Sequence, residues 1–278
     1  MNPSKISILA PGLIGGSVAL ASSHFYPKSK IAVGPRRSES LPSLRSALPK
    51  AEIATEPALI QSSDLVILAA PPAALPELVR SILPYLSPST LVTDVSSVKD
   101  SVENKLAPLL QDKARWIGSH PMAGSEDSGF SAARAGLFQN APVILTPTSS
   151  TPPSTLTDAT SFWQTLGARV LTMSPKSHDE QVARISHLPH FVSAALVLAA
   201  GKKALPLAGP GYRDTTRIAA GPSKLWTEIL LENRNELLTV LKDFRATVEG
   251  LAVDLEKGDA RRLEKILDEA AKIRRTLT

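Results

Sequence analysis

The stretch that decides the fold is ISILAPGLIGGS, residues Ile6–Ser17. Three of its first four residues are large aliphatic ones suited to a buried strand. Gly12, Gly15 and Gly16 follow where a helix would begin, and this spacing allows a tight turn, a close phosphate and close packing of helix on strand. Free N–H groups at such a helix N-terminus attract an anion. The stretch predicts a strand, a turn and a helix, although a plain tight turn would show the same pattern.

Short β-type runs alternate with helical patterns over residues 1–173. This alternation predicts a parallel sheet with crossover helices. Because the glycine-rich stretch lies at the first strand of such a pattern, we predict an α/β, Rossmann-type doubly wound dinucleotide-binding domain over 1–173. Strands are predicted at Ile6–Leu9, Ile31–Val33, Leu65–Ala69, Leu91–Val95, Trp116–Gly118, Val143–Leu145 and Val170–Met173. Helices are predicted at Ile14–Ser23, Leu41–Leu48, Leu75–Leu83, Asp100–Leu110 and Leu156–Leu166.

The pattern changes after Pro175, where strand-like runs end and helical periodicity takes over. The segment Val182–Ala200 is nearly apolar on every face. Further on, apolar residues return every three or four positions, which predicts one long helix through Leu225–Leu255 and a second at Asp259–Leu277. One layer of helices cannot cover this much apolar surface alone. The sequence therefore predicts an all-helical C-terminal domain over 174–278 through which two copies form a homodimer.

Composition limits the class of protein. The chain has 278 residues, of which 43% are hydrophobic and 21% charged, and it contains no cysteine. These proportions are typical of globular proteins with a sizeable core, and the lack of cysteine excludes disulfides, thiolate nucleophiles and cysteine-ligated metals. The net charge is +5, but no dense run of Lys and Arg with interleaved aromatic residues occurs. We therefore expect a small anionic ligand and no nucleic acid.

The N-terminal segment has a second interpretation. Lys5, followed by the uncharged stretch Ile6–Ser23, resembles the start of a signal peptide. The pairs Pro11-Gly12 and Gly15-Gly16 would interrupt a signal helix but suit a strand and a tight turn, so the nucleotide fold is preferred. No other uncharged apolar run approaches the roughly 20 residues needed to span a bilayer. We expect a soluble, cytoplasmic protein with no membrane partner.

The residues after the second predicted strand bear on the choice of cofactor. An enzyme that uses NAD places Asp or Glu there, roughly 20 residues after the glycines, to bind the ribose hydroxyls. This chain has the stretch GPRRS at 34–38 instead, and arginine forms charge-assisted bonds to the 2′-phosphate of NADP. A solvated basic turn is the alternative. We predict NADP in preference to NAD, bound by Gly12, Leu13, Ile14, Gly15, Arg36, Arg37 and Ser38.

A third group of polar residues lies at the ends of two predicted strands. Residues 118–126 read GSHPMAGSE, and Ser96 and Ser97 end the preceding strand. Ligands of doubly wound sheets bind at such carboxyl ends, where the imidazole of His120 would face a substrate. A structural role for His120 and helix capping by the serines are the alternatives.

Five stretches in this order resemble the prephenate and arogenate dehydrogenases of tyrosine biosynthesis. They are GLIGGS at 12–17, DVSSVK at 94–99, GSHPMAG at 118–124, SHLPH at 186–190 and GYRDTTRIA at 211–219. The resemblance covers nearly the whole chain, and five motifs in order are far more specific than one. Two departures leave the dinucleotide preference open: Ala10 replaces the first fingerprint glycine, and no acidic residue follows the second strand.

The resemblance implies an oxidative decarboxylation. Prephenate and arogenate carry a carboxylate on a cyclohexadiene ring, opposite a carbon that bears hydrogen and hydroxyl. Such enzymes pass that hydrogen as hydride to nicotinamide while carbon dioxide leaves and the ring becomes aromatic. On the family pattern His120 is the catalytic residue that takes the hydroxyl proton, with an acid limb near the ordinary histidine pKa of roughly 6 to 7. Ser97 resembles the catalytic residue that orients this histidine and the nicotinamide.

The same resemblance implies the substrate contacts and makes the helical domain over 174–278 a substrate-binding domain as well. Arg217 resembles the arginine that binds the ring carboxylate, and Arg213 is a second candidate, with an inter-helix salt bridge as the alternative for each. His190 is expected to contact the substrate side chain. His187 lies on the same predicted helix face as His190 and is expected to be structural. Two histidines on one face could hold a metal, but no third ligand is evident, so no metal is expected. The side chain that distinguishes prephenate from arogenate would be contacted by Ser125 and Glu126.

Two other functions stay open. One is a β-hydroxyacid dehydrogenase, in which a helical lysine near residues 201–203 would act as acid; that family would want glycines before the lysine, and Ala194–Ala200 has none. The other is a non-catalytic dinucleotide-binding sensor or nucleic-acid binder, which leaves His120, Ser97 and Arg217 without a role.

Because the chain stops after the helical tail, we expect any inhibition by tyrosine to act at the active site.

Overall fold

The computed structural model describes residues 1–36, 38–124, 127 and 129–277. Its first sheet consists of the strands β1 (Lys5–Leu9), β2 (Lys30–Gly34), β3 (Glu52–Ile53), β4 (Leu65–Leu68), β5 (Leu91–Asp94) and β6 (Arg115–Trp116). They lie in the order β3-β2-β1-β4-β5-β6, and every neighbouring pair is parallel. This is the order of a doubly wound dinucleotide-binding sheet, so the predicted fold class is confirmed. The sequence pattern misses β3, because an exposed glutamate and a half-buried isoleucine make no apolar run.

Alternating side chains of the strands build two cores, one on each face of the sheet. In β4, Leu65 and Ile67 pack into one buried cluster, whereas Val66 and Leu68 pack into the other. The helices that follow the strands are α1 (Leu13–Phe25), α2 (Leu41–Ala47), α3 (Leu75–Ile82), α4 (Asp100–Leu110) and α5 (Pro153–Thr165). The burial of strands on both faces explains why they read as nearly continuous apolar runs.

A second sheet contains β7 (Gly118–Pro121), β8 (Pro142–Thr146) and β9 (Arg169–Thr172). The β7–β8 pair is antiparallel and the β8–β9 pair is parallel. The single strand predicted at Trp116–Gly118 is therefore wrong, since Trp116 ends one sheet and Gly118 begins the other. A Cβ at Gly118 would lie 2.6 Å from the Thr146 Oγ1, so glycine allows the close approach of the two strands there.

The turn from β1 to α1 shows why glycine is favoured in this fingerprint. Ala10 has a φ of 59°, in the left-handed region that strains a residue with a Cβ. Its N–H donates to the Gly34 carbonyl at 2.8 Å, which holds the ends of β1 and β2 together. A Cβ at Gly15 would lie only 2.5 Å from the Ala69 Cβ. Gly15 thus serves the packing of α1 on the neighbouring strand end.

The helices α6 (Pro175–Val182), α7 (Leu188–Ala204), α8 (Pro210–Thr216) and α9 (Ser223–Glu232) follow the second sheet. Residues Pro175–Leu207 are long and apolar enough to span a membrane by length and composition alone, contrary to the expectation that no later run approaches that length. The run is not one regular helix. Residues Ala183–His187 form a π-helical turn, and Gly201 breaks the helix with a φ of 63° and a ψ of 162°.

The chain divides into two compact units, Met1–Asn233 and a second that begins at Arg234. The second unit consists of α10 (Arg234–Glu256) and α11 (Ala260–Arg275), with an ion pair of 2.9 Å between Arg262 Nε and Asp254 Oδ2. The one long helix predicted through Leu225–Leu255 is wrong, because α9 ends at Glu232 and α10 begins at Arg234. The Asn233 side chain binds the Asp179 carbonyl and the His187 ring, a tertiary contact that periodicity does not show. The domain boundary after residue 173 stays a prediction.

Candidate active site

A cavity of about 740 Å³ lies at the carboxyl ends of β1, β4, β5 and β7. Its size is in the range of small-molecule and cofactor sites. Three groups of residues line it: the turn Ala10–Gly15 with Pro35 and Arg36, the strand ends Val95–Ser97 and His120–Gly124, and a helical group with Ser186, His190, Arg217 and Trp226. The structure therefore brings together the fingerprint, His120 and Arg217 around one space.

The fingerprint glycines have different surroundings. Gly12 lines the cavity, and a Cβ added to it would meet no atom within 4 Å. The packing of the protein therefore does not require glycine there, whereas a phosphate group that approaches the backbone does. Leu13 and Ile14 also line the cavity. These residues fit the pyrophosphate of a dinucleotide.

The basic turn after β2 is only partly at the cavity. Arg36 is exposed and lines it, and so does Ser40, which the sequence analysis did not single out. Ser38 lies in a short 3₁₀ turn and is not among the lining residues. Arg37 lies outside the described residues, as do Ser125 and Glu126 of the loop after β7.

His120 lies on β7 and is 8% exposed, and the part that is exposed faces the cavity it lines. Its Nδ1 lies 2.8 Å from the Nε2 of His178. Burial lowers the pKa of His120 well below the ordinary value, and His178, Lys99 and His187 lower it further. The imidazole is therefore neutral at physiological pH. Because burial disfavours the charged form, we now expect the acid limb below the range of about pH 6 to 7 that the ordinary histidine pKa gives.

The two serines after β5 have separate roles. The Ser96 hydroxyl binds the Asp94 carboxylate and the Val98 carbonyl, and its N–H donates to Asp94 Oδ2 at 3.0 Å. Ser97 lines the cavity, and its hydroxyl makes no hydrogen bond to another described residue. Helix α4 is preceded by Lys99 and has no side-chain cap, so helix capping by the serines is wrong.

A buried ion pair lies beneath these strand ends. Lys99 Nζ is 2.5 Å from Asp94 Oδ2 and 2.7 Å from the Ser119 carbonyl, and both charged side chains are fully buried. Burial lowers the pKa of Lys99, and the nearby Asp94 carboxylate opposes this shift. The pair joins the end of β5 to β7 and so holds His120 beside Ser97. Removing one partner alone would leave an uncompensated buried charge.

The helical side of the cavity carries an aromatic stack. The His190 and Trp226 rings are stacked with centroids 3.3 Å apart. His190 Nδ1 lies 3.0 Å from the Ser186 carbonyl, so this nitrogen carries the proton and Nε2 is the acceptor. Burial lowers the pKa of His190, the bond to Ser186 raises it, and Arg217 lowers it. A neutral His190 ring and a cationic Arg217 therefore share this end.

The two other candidates from the helical part, Arg213 and His187, do not line the cavity. Arg213 is not among the lining residues, and its Nε donates to the Ala208 carbonyl at 3.2 Å. His187 is fully buried, 3.0 Å from the Asn233 amide, and burial is the main cause that lowers its pKa to about 4. The π-helical turn separates His187 from the regular helix that carries His190. In the described part of the chain no group of three His, Asp or Glu residues could hold a metal ion.

The chain matches two family models that together span most of its length. Residues 47–172 match "Prephenate dehydrogenase, nucleotide-binding domain", and residues 174–269 match "Prephenate dehydrogenase, dimerization domain". A cyclohexadienyl dehydrogenase from Zymomonas mobilis is 33% identical, over 98% of this chain and 95% of its own length.

Solved structures agree with the family models. Prephenate dehydrogenase from A. aeolicus, in complex with hydroxyphenyl propionate and NAD⁺, has a TM-score of 0.91 and 30% identity, over 99% of this chain and 98% of that one. Arogenate dehydrogenase from Synechocystis has a TM-score of 0.84 and 32% identity, over 99% of this chain and 100% of that one. The sequence resemblance, the cavity and these matches point the same way, and the chain belongs to the prephenate dehydrogenase family of nicotinamide-dependent oxidoreductases.

Proposed function

We propose that the protein catalyses the oxidative decarboxylation of prephenate or arogenate in tyrosine biosynthesis, in the cytoplasm. The observation that carries the proposal is the buried, neutral His120 between the fingerprint turn and Arg217 in one cavity. The relatives named for prephenate, arogenate and cyclohexadienyl substrates support it. The β-hydroxyacid dehydrogenase and the sensor are set aside, because neither gives a role to both His120 and Arg217 in one cavity with the fingerprint turn.

The proposed roles follow from the chemistry of the ring. Bound NAD or NADP supplies the hydride acceptor. As hydride leaves the ring carbon, the hydroxyl oxygen becomes carbonyl-like, and His120 takes its proton. The bond to the ring carboxylate then breaks, carbon dioxide leaves, and the electron pair passes through the ring to the carbonyl-like oxygen. That oxygen takes back the proton held by His120, which gives the phenol and restores the neutral imidazole. General-base assistance of this kind is worth about 10² to 10⁴ in rate. Ser97 lines the cavity but makes no hydrogen bond to His120, so of the two roles expected for it only the orientation of the nicotinamide is proposed.

The test is a direct assay. The purified protein is incubated with prephenate or arogenate and with NAD or NADP, and the absorbance of the reduced nicotinamide is followed. We expect reduction that depends on both the cyclohexadiene and the dinucleotide. Absence of reduction in all four combinations, with a protein that is folded by circular dichroism, would contradict the proposal. The four rates also rank the substrates and cofactors.

For the substrate side chain we propose that Ser125 and Glu126 distinguish the keto group of prephenate from the ammonium of arogenate. A carboxylate that faces an ammonium is favourable on charge, and one that faces a second carboxylate is not. Exchanging Glu126 for glutamine tests this by the ratio of kcat/KM for the two substrates. A ratio that does not change would remove Glu126 from the specificity.

For the cofactor we propose NADP in preference to NAD, with Arg36 and Arg37 at the 2′-phosphate. Arg36→Ala should raise the KM for NADP by about 10-fold or more, the value of a lost charge-assisted bond, and leave the KM for NAD within about two-fold. Arg45→Ala is the control, because this exposed arginine on α2 does not line the cavity. An equal effect of Arg36→Ala on both dinucleotides would reject the assignment.

We also propose a homodimer through the helices after Pro175. In the single chain Leu198 on α7 is 81% exposed, and Leu207 in the turn after α7 is 88% exposed. Exposed apolar surface of this kind marks a protein–protein contact when it forms a patch. Light scattering at micromolar concentration should give twice the chain mass of 29.5 kDa. Leu198→Asp should give the monomer mass, and Lys50→Asp, in the turn before β3, should not. A wild-type protein that is monomeric under these conditions would refute the dimer.

A further inference from the structure

Behind His120 lies a chain of three hydrogen-bonded side chains. His120 Nδ1 is 2.8 Å from His178 Nε2, and His178 Nδ1 is 2.7 Å from Asp179 Oδ1. His178 is fully buried and is not among the residues that line the cavity. It therefore does not touch a ligand there, yet it contacts the proposed base directly.

The Asp179 carboxylate determines the direction of these bonds. Its Oδ1 accepts from the Lys99 N–H at 2.8 Å, and its Oδ2 accepts from the Asp100 N–H at 2.9 Å. Both amides lie at the start of α4, where the helix dipole favours a negative charge. An ionised carboxylate only accepts hydrogen bonds. His178 Nδ1 must therefore donate to Asp179.

The proton positions on both imidazoles follow from this donor. A neutral imidazole carries one proton, so His178 Nε2 has none and can only accept. His120 Nδ1 is then the donor in the contact between the rings. The lone pair of His120 is left on Nε2, which makes no hydrogen bond to another described residue. Burial lowers the pKa of His178, and this keeps the ring in the neutral form that the chain of bonds needs.

We propose that His178 and Asp179 are positioning residues that hold His120 in the tautomer with its proton on Nδ1 and its acceptor nitrogen towards the cavity. The inference rests on the proposed role of His120 as base. In the other tautomer Nε2 would carry a proton and could not take one from the substrate hydroxyl. The chain Asp179–His178–His120 thus sets which nitrogen is basic.

The arrangement is built from distant parts of the chain and not from a local turn. Asp179 and His178 lie on α6, His120 on β7, and the two amides at the start of α4. Asn233 Nδ2 donates to the Asp179 main-chain carbonyl at 2.9 Å, which ties α6 to the end of α9. The backbone of α6 is therefore held independently of the His178 ring.

Nitrogen-15 NMR of the imidazoles tests the tautomers without any ligand. The chain has five histidines, and long-range proton–nitrogen spectra show which ring nitrogen carries hydrogen. We expect protonated Nδ1 and bare Nε2 in both His120 and His178 at neutral pH. A proton on Nε2 of His120 would overturn the inference. Because the measurement needs no turnover, it is independent of whether the proposed reaction occurs.

Two substitutions of His178 test the effect on catalysis. His178→Phe fills the space but removes the acceptor, so kcat should fall by about 100-fold, while the KM for each ligand changes less than about three-fold because no cavity contact is lost. His178→Gln offers an amide oxygen near the position of Nε2, so it should recover at least about ten-fold of that loss. His24→Phe, at an exposed histidine on α1, is the control.

The outcomes distinguish the positioning role of His178 from the proposed function of the protein. Equal kcat losses in His178→Phe and His178→Gln, or losses that appear in KM and thermal stability with kcat unchanged, would assign His178 a packing role and overturn the inference. If His178→Phe does not fold, the inference is tested by the tautomers of the wild-type protein and by the kcat of His178→Gln. A wild-type protein that shows the expected tautomers but no reduction of nicotinamide would refute the proposed function alone.

Discussion

Replacing His120 by asparagine will lower kcat by about two orders of magnitude or more, with little change in cofactor affinity. Asparagine keeps a hydrogen-bonding side chain on β7 but cannot take a proton from the substrate hydroxyl, and general-base assistance is worth about 10² to 10⁴. The residues proposed to bind the dinucleotide, Gly12–Gly15 and Arg36, are other parts of the cavity lining, so its dissociation constant should change less than about two-fold. Steady-state kinetics with a separate binding titration checks both expectations.

The pH profile gives a second readout of the same residue. Only neutral His120 can accept the proton, and burial together with His178, Lys99 and His187 lowers its pKa well below the ordinary value. The acid limb of the wild-type kcat should therefore lie below the ordinary histidine pKa of about 6.5, and His120→Asn should abolish it. His24→Asn is the matched control. A His120→Asn variant that retained wild-type kcat and the acid limb would show that another group takes the proton.

Replacing Arg217 by alanine will raise the KM for the cyclohexadiene by about 10- to 100-fold, with only a modest change in kcat. Arg217 lines the end of the cavity formed by His190 and Trp226, and a planar guanidinium binds a carboxylate through two parallel bonds. Hydrogen bonds to charged groups are worth about 1.5 to 3 kcal/mol. The loss falls on ground and transition states alike, and so it appears in KM.

Arg213→Ala is the control for this prediction, because Arg213 carries the same charge four residues earlier and does not line the cavity. Its KM should stay within about three-fold of the wild-type value. Circular dichroism of both variants separates binding from folding. A larger KM effect in Arg213→Ala, or unfolding of Arg217→Ala, would remove Arg217 from the substrate site and favour a structural salt bridge.

Much of the fold could be predicted from local patterns. Apolar runs of four or five residues are strands because both faces of the parallel sheet are buried. Gly15 is needed where α1 packs on Ala69, since a Cβ added to it would lie 2.5 Å from the Ala69 Cβ. The fingerprint, His120, Ser97 and Arg217 could likewise be found from their motifs and from the rule that ligands bind at the carboxyl ends of strands. Their common cavity at those ends agrees with that rule.

Other features depend on contacts between residues far apart in the sequence. The split of the strand near Ile117 depends on how β7 meets β8, and the break at Asn233 on its bonds to Asp179 and His187. Periodicity describes one element at a time, so it shows neither. It also treats Arg213 and Arg217 alike, although α8 ends at Thr216 between them and only Arg217 lines the cavity.

The sequence by itself determined most of the order of strands and helices and the family, and it led to His120 as the proposed base. Only the tertiary structure bears on which nitrogen of that histidine is basic and on the direction in which its pKa is shifted. His178 lies 58 residues from His120 in the sequence, with no spacing rule that joins them. Burial, the partner ring and the cation of Lys99 act through space, and these distances exist only when α4, α6 and β7 pack together.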